Sequence, residues 1–201
     1  MILVIETATP ACSTALIEAG RAVDERHEEV GRGHAERLVP MIEALLAGRV
    51  PDGILVDCGP GSFTGIRVGL AAARGLGIGW GVPVSGYSSL ALIAAAVRGQ
   101  GDELGVAVKG GHGELFVQSF ARDPLAALDP LRSLTPAQAA AVIRAERVAG
   151  SGAAALVAAR AYGQAVAACP RAGDACLLPE ALAALPPTPL YGRAPDARPM
   201  A

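Results

Sequence analysis

Two short stretches carry residue types that could do chemistry. Glu6-Thr7-Ala8-Thr9 places a carboxylate and two hydroxyls directly after an apolar run, Ile2-Leu3-Val4-Ile5. At a β-hairpin turn such groups can grip a phosphate or a magnesium ion. The competing reading is a capped turn whose hydroxyls satisfy local backbone groups. Gly59-Pro60-Gly61-Ser62 comes after a second apolar run, Ile54-Leu55-Val56. Backbone N–H groups in a glycine-rich loop before a helix can receive an anion. The loop lacks the Gly-Lys-Ser/Thr ending of a P-loop, and the competing reading is a tight strand-to-helix connection. Glu6, Thr7, Thr9, Gly59, Gly61 and Ser62 are therefore the candidate nucleotide or phosphate site. Ser62 does not sit in Gly-x-Ser-x-Gly, so it is not read as a hydrolase nucleophile. His27 and His34, with Glu28 and Glu29 near them, lack HxxxH or HExxH spacing, and no metal is expected there. His112, inside Gly110-Gly111-His112-Gly113, reads as a solvated loop residue.

The stretch after the glycine loop has a different character. Gly65, Gly69, Ala73 and Gly77 recur every four residues, which makes one nearly side-chain-free stripe on a helix over 62–79. Glycine costs about 1 kcal/mol per helical position against alanine, so close approach of another backbone is expected to offset it. The stripe reads as a packing surface, with a neighbour from this chain or from a partner.

Composition narrows the classes. The chain has 201 residues, enough for one large domain or two small lobes. Its formal charge of −2 gives no footprint for duplex nucleic acid or an anionic membrane, so any role with nucleic acid should be indirect. Met1–Ile5 is interrupted by Glu6 with no basic region before it, so a signal peptide is not expected. The run 66–84 contains Arg67, Arg74 and many glycines and reads as a soluble helix and then a strand. Cys12, Cys58, Cys169 and Cys176 lack zinc or CxxC spacing and are expected to be buried, reduced thiols.

The elements that must position these residues can be read from periodicity and punctuation. Strands are expected over 2–7, 13–18 and 22–27, as an antiparallel meander. A helix over 34–46 places Leu38, Ile42 and Leu45 on one face, flanked by Met41 and Leu46. Then come a strand over 53–57, the glycine-loop helix, a strand over 82–84, a turn at Gly86-Tyr87-Ser88 and a helix over 89–97. A linker, Arg98-Gly99-Gln100-Gly101-Asp102, divides the chain into lobes 1–101 and 102–201. The second lobe is expected to hold strands at 104–109 and 114–120 around the glycine hairpin. A helix opened by Thr135-Pro136 should run to Arg144, with a strand at 147–149 and a helix at 153–162 after it. After Pro170 recurring prolines point to short pieces and an extended tail. Alternation of strands and helices from Gly53 onward gives an α/β class.

Four ordered motifs resemble a known family. Ile2 to Thr9 with Cys12-Ser13-Thr14-Ala15-Leu16 resembles its opening hairpin. Gly33-His34-Ala35-Glu36-Arg37-Leu38-Val39-Pro40 resembles its first helix. Cys58 to Gly69 is the most specific stretch, and Pro83-Val84-Ser85-Gly86-Tyr87-Ser88-Ser89-Leu90 matches the family's next strand and turn. Pro189-Leu190-Tyr191-Gly192-Arg193 is similar to its C-terminal Pro-x-Tyr-x-Arg. The family is TsaB, also called YeaZ, the non-catalytic partner of TsaD in making threonylcarbamoyladenosine at position 37 of tRNAs that read codons beginning with A. The resemblance is dense over residues 1–96 and loose beyond.

The resemblance implies an actin/Hsp70-like fold of ribonuclease-H type, with the second lobe reduced. It implies a cytoplasmic scaffold that needs no cofactor. It also implies partners: a TsaD-type catalytic subunit, a TsaE-type ATPase acting through the complex, and a second copy when alone. Contact with tRNA would be only indirect. The implied partner surface joins the first helix to the glycine-loop helix: His34, Leu38, Met41, Ile42, Leu45, Ser62, Phe63, Gly65, Ile66, Arg67, Gly69, Ala73 and Arg74. Arg67 and Arg74 would form its charged rim. Three departures bear on chemistry. Tyr87-Ser88-Ser89-Leu90-Ala91-Leu92-Ile93 has no histidine where TsaD-type relatives carry their HxxxH metal pair. Glu6 stands where the family usually has Asp, which makes any phosphate site at that turn vestigial. Lys109 begins a segment that in the family starts with Asp-Ala-Arg. The alternative reading is a nucleotide-binding ATPase or metallopeptidase-like enzyme of the same fold.

Overall fold

The structure, a computed structural model, describes residues 1–97 and 101–192. An antiparallel meander opens the chain: β1 (Ile2–Glu6), β2 (Ala11–Glu18) and β3 (Arg21–Glu29). β1 is apolar on both faces, which suits a central strand covered on both sides. Next come α1 (His34–Leu46), β4 (Gly53–Asp57), α2 (Phe63–Trp80), β5 (Val84–Tyr87) and α3 (Ser89–Ala96). β4 lies parallel to β1 and β5 parallel to β4, giving the sheet order β3-β2-β1-β4-β5. Ser62 caps α2 by accepting the Gly65 N–H at 3.2 Å, and Gly81 ends the helix in the left-handed region.

The second lobe repeats this plan with shorter pieces. β6 (Glu103–Lys109), β7 (Leu115–Arg122), β8 (Leu125–Ala127) and β9 (Arg132–Leu134) precede α4 (Pro136–Val142), β10 (Arg147–Ala149), α5 (Ala153–Arg160) and β11 (Gln164–Val166). The sheet order is β11-β10-β6-β7-β8, with β9 also paired to β7. Taken from β8, it is the first sheet again: three antiparallel strands, then two parallel ones reached through helices. This is the α/β, actin/Hsp70-like arrangement of two ribonuclease-H-type units. α3 is the shared wall. Leu90, Ala91, Ile93 and Ala94 join the core over the second sheet, while Leu92 joins Val4, Ala15, Leu55 and Tyr87 over the first.

Residues 171–192 return to the first lobe. Ala172 and Ala175 are buried among Val4, Ala15, Leu55, Tyr87 and Leu92. Glu25 anchors this segment: its carboxylate accepts from Arg171 Nη2 at 2.6 Å and from the Gly173 N–H at 2.9 Å. Ser13 Oγ accepts the Ala172 N–H at 3.1 Å. Further on, Leu185 bridges to Gly86, and the Leu190 N–H reaches the Cys58 carbonyl at 2.8 Å.

Several expectations change. The strand expected at 82–84 forms at Val84–Tyr87 instead, because pairing with β4 extends through Asp57↔Tyr87. β8, β9 and β11, each three residues long, had no expected counterpart. The helices expected to Arg144 and Tyr162 stop at Val142 and Arg160, where Ile143 turns extended and Ala161 turns left-handed. Cys12 and Cys58 are buried free thiols as expected, whereas Cys169 is exposed. Arg98 to Gln100 of the expected linker, and Arg193 of the C-terminal motif, lie outside the described residues. Among the described residues no helix is long and apolar enough to cross a membrane.

Candidate functional site

The residues of the expected phosphate site separate into two groups. Glu6 and Thr7 are fully buried and turned inward. Thr7 Oγ1 donates to the Gly65 carbonyl at 2.8 Å, and Glu6 Oε1 accepts the Ala8 N–H at 2.8 Å. The Gly59 N–H donates to Asp57 Oδ1 at 2.7 Å. Thr9, Gly61 and Ser62 instead line a cleft of about 980 Å³ between the lobes. Its floor is Ala8, Pro10, Pro60, Ile66 and Ile93. Val108 and Phe116 form the opposite wall, with Lys109 and His112 on the glycine hairpin. The carboxylate is therefore engaged by the turn and the first hydroxyl by the first turn of α2, and the two do not meet the glycine loop across an anion. This corrects the composite phosphate site. The capped-turn reading holds for Glu6 and Thr9, whose side chains accept the Ala8 and Ala11 N–H groups, while the Ser62 N–H donates to the Ala8 carbonyl at 2.7 Å and ties the two loops together.

His34 also works within the chain. Its Nε2 lies 2.8 Å from the Thr9 carbonyl and 3.2 Å from that of Ala11, so it ties the β1–β2 turn to the start of α1. Among the described residues no group of three or more His, Cys, Asp or Glu is placed to hold a metal ion.

The expected partner surface needs a larger correction. Leu38, Met41, Ile42, Leu45 and Ile66 are buried in the chain's own core beside Leu3, Ile5 and Leu70. The small-residue stripe faces strands, not a helix. A Cβ at Gly65 would run into the Thr7 carbonyl oxygen, and one at Gly69 into Thr7 Oγ1, with Ile5 Cγ2 at 3.5 Å. Ala73 is fully buried on the same side. The stripe lets α2 lie directly on β1, so these residues are closed to a partner in the folded monomer.

What α2 presents to solvent is its opposite face: Phe63, Arg67, Ala71, Arg74 and Ile78, spaced three or four apart. Phe63 at 58% and Ile78 at 84% are the two most exposed large apolar side chains among the described residues. The Arg67 guanidinium lies 4.8 Å from the centre of the Phe63 ring. Tyr191, 56% exposed, sits against the same ring with centroids 6.0 Å apart. Arg74 Nη2 donates to the Pro187 carbonyl at 2.6 Å, so this expected rim residue also clamps the C-terminal segment along the helix. Phe63, Arg67 and Tyr191 form a cation-braced aromatic pair at the mouth of the cleft. Asp57 and Tyr87 were missed from sequence. The available signal was an acidic residue ending an apolar strand beside the glycine loop.

Comparison with known proteins places this geometry. The family model described as "TsaD: tRNA N6-adenosine threonylcarbamoyltransferase" matches residues 25–168. Two solved chains from Pseudomonas aeruginosa superpose over nearly their whole length. "YeaZ from Pseudomonas aeruginosa" gives a TM-score of 0.79 at 29% identity, covering 94% of this chain and 98% of that one. A protein described as having similarity to peptidase YEAZ gives 0.78 at 30% identity, covering 96% and 99%. The chain therefore belongs to the TsaD-type family of actin/Hsp70-like proteins and, within it, to the TsaB (YeaZ) group. The tRNA threonylcarbamoyladenosine biosynthesis protein TsaB of Escherichia coli is 36% identical over 129 residues, 61% of this chain and 55% of its own. A Mycobacterium bovis relative is 40% identical over 105 residues, 49% of this chain and 50% of its own. The chain thus spans about half the length of the curated relatives it matches.

Proposed function

We propose that this chain is a non-catalytic subunit in the formation of threonylcarbamoyladenosine at position 37 of tRNAs reading codons beginning with A. It acts as a scaffold for a TsaD-type catalytic subunit, with a TsaE-type ATPase joining through the complex. It pairs with itself when alone, and tRNA contacts it only indirectly. Its place of work is the cytoplasm. The names of its relatives supply the pathway. The observation that carries the scaffold role is the outer face of α2, where Phe63, Arg67 and Ile78 stand exposed on a rigid helix. Aromatic and arginine side chains of this kind anchor interfaces.

The docking face is thus the solvent side of α2, with Phe63, Arg67, Arg74 and Ser62 retained from the expected set and Ile78 and Tyr191 added. The inward-turned Glu6 and Thr7 support this reading over a nucleotide-binding ATPase or metallopeptidase-like enzyme. The test is co-purification with the host's TsaD homologue. Phe63→Ala should weaken the complex by about tenfold while leaving the monomer's melting temperature in place. Undiminished binding by both Phe63→Ala and Ile78→Glu would remove α2 from the interface. Calorimetry with ATP and magnesium on the chain alone addresses the enzyme reading, which micromolar binding would favour.

A further inference from the structure

Glu6 is the last residue of β1 and Asp57 the last of β4, one register step beyond the parallel pair Ile5↔Val56. Their side chains leave the sheet on the same face, towards Tyr87 and α3. Both residues have no solvent-accessible surface. One step beyond Ile5↔Val56 on adjacent parallel strands and on one face, the two carboxyl groups lie side by side. The rest of their valence is filled by donors. Glu6 Oε1 takes the Ala8 N–H at 2.8 Å and Oε2 the Tyr87 hydroxyl at 3.1 Å. Asp57 Oδ1 takes the Gly59 N–H at 2.7 Å and Oδ2 the Ser89 hydroxyl at 2.7 Å. Among the described residues neither carboxyl has an ion-pair partner.

Two touching carboxylates without a counter-ion cannot both stay ionised in a dry interior. A single proton between them turns the repulsion into a charge-assisted O–H···O⁻ bond. Among the described residues the ionisable groups around them supply no counter-charge; on the segment packed against β1 and β2, Asp174 is itself raised by burial and Arg171 is engaged by Glu25. Cys12 on β2 is held protonated by burial, with a value of about 11. Cys58, after β4, is pushed by burial to about 12. Tyr87 on β5 is raised by burial and then by the two carboxyls. α3 contributes only the Ser89 hydroxyl.

We propose that Glu6 and Asp57 share one proton in the folded chain, and that this proton is the clasp holding the cleft floor and the root of α2. Glu6 fixes Ala8, Asp57 fixes Gly59, and the Ser62 N–H closes the ring onto the Ala8 carbonyl at 2.7 Å. Ala8, Pro60, Gly61 and Ser62 line the cleft, and Ser62 caps α2. Removing the proton to solvent leaves two buried negative charges pushing apart the two loops that meet there. The clasp is independent of which partner α2 docks.

Its pH dependence has one sign. Burial, then the Asp57 charge, raise Glu6 well above the ordinary value of 4.5, and burial raises Asp57 above 3.8. The folded chain therefore holds a proton that the unfolded chain gives up. The stability it contributes is complete below the ordinary values and is lost as pH rises through the folded ones.

Infrared spectroscopy of the full chain tests the shared proton. At neutral pH the wild type should show a protonated-carboxyl band that fades on alkaline titration and is absent in Glu6→Gln, whose carboxamide replaces the shared donor. Hydrogen exchange reads the clasp. After correction for intrinsic rates, the Ala8 and Gly59 amides should exchange about tenfold faster at alkaline than at neutral pH in the wild type, and unchanged in Glu6→Gln. A wild-type spectrum without the band at neutral pH, or a band that survives in Glu6→Gln, overturns the proposal. Should Glu6→Gln fail to fold, the wild-type titration alone decides, because it needs no variant.

Discussion

The two lobes share a strand order and differ in what they put at corresponding ends. In the first, β1 ends in Glu6 and β4 in Asp57, both fully buried and side by side. In the second, the corresponding strands end in an exposed Lys109 and in Ala149. The Gly152 N–H at the start of α5 donates to the Ala107 carbonyl at 2.9 Å, and the Ser62 N–H at the start of α2 to the Ala8 carbonyl at 2.7 Å. In the second lobe that bond reaches into β6 itself, whereas Ala8 lies beyond the end of β1, and the buried acid pair belongs to the first lobe alone among the described residues. The helices differ as well: α1 and α2 run 13 and 18 residues, α4 and α5 only 7 and 8. The duplicated topology is a frame. Buried polar groups and an exposed aromatic helix are concentrated on one copy of it, and the other copy supplies the far wall of the cleft.

The sharpest way to break this comparison is to load the stripe of α2. Gly69→Leu should destabilise the monomer by about 3 kcal/mol or more, because Thr7 and the strand behind it cannot yield. A similar gain in bulk, one methyl smaller, on the second lobe, Ala154→Leu on the exposed side of α5, should stay within about 0.5 kcal/mol. Thermal melting of the two variants checks both. Equal effects would mean that α2 is not seated on β1 as described. A weaker contrast lies in binding. Phe63→Ala should cost about tenfold in affinity for the TsaD-type partner, whereas Leu128→Ala, also exposed but on the second lobe, should cost nothing measurable.

The smallest effect concerns the segment that joins the lobes. Partial burial pushes Glu25 up, but the Arg171 guanidinium and the Gly173 amide outweigh it and hold the carboxyl below its ordinary 4.5. A lowered folded value means stability present above the ordinary value and lost as pH falls through the folded one. Acid should therefore loosen residues 171–177 first, seen as faster tryptic cleavage after Arg171. Glu25→Gln should show that cleavage already at neutral pH, with a stability loss under about 1 kcal/mol because the pair is partly solvated. This acid-side weakness opposes the alkaline-side weakness at Glu6. The two can be separated on one pH axis.

Much of the first lobe was legible in the sequence because its elements are long and punctuated. α1 and β4 fall where the apolar spacing and the glycine and proline stops put them. β8, β9 and β11 were not, since three residues such as Gln164–Val166 are too short to show a period. The glycine stripe reads as a packing surface whose neighbour the residues leave open; the resemblance gave that neighbour to a partner, and the structure fills the place with β1 and Thr7. A bare helix face records close approach without recording what approaches. Glu6 and Thr7 were singled out, but hydroxyls and carboxylates look alike in sequence whether they face a ligand or their own backbone. Asp57, 51 residues away from Glu6, becomes its neighbour only through the β1–β4 pairing. Glu25 meets Arg171 and Gly173 across a still longer separation in sequence, 146 and 148 residues.

The central claim is that this chain supports threonylcarbamoyladenosine formation through the outer face of α2. The most direct measurement is the threonylcarbamoyladenosine content of tRNA in a strain depleted of its own TsaB and complemented by this chain. Wild type should restore the modification, and Phe63→Ala combined with Ile78→Glu should not, at equal expression. Absence of rescue by well-expressed wild type, or full rescue by the double variant, would contradict it.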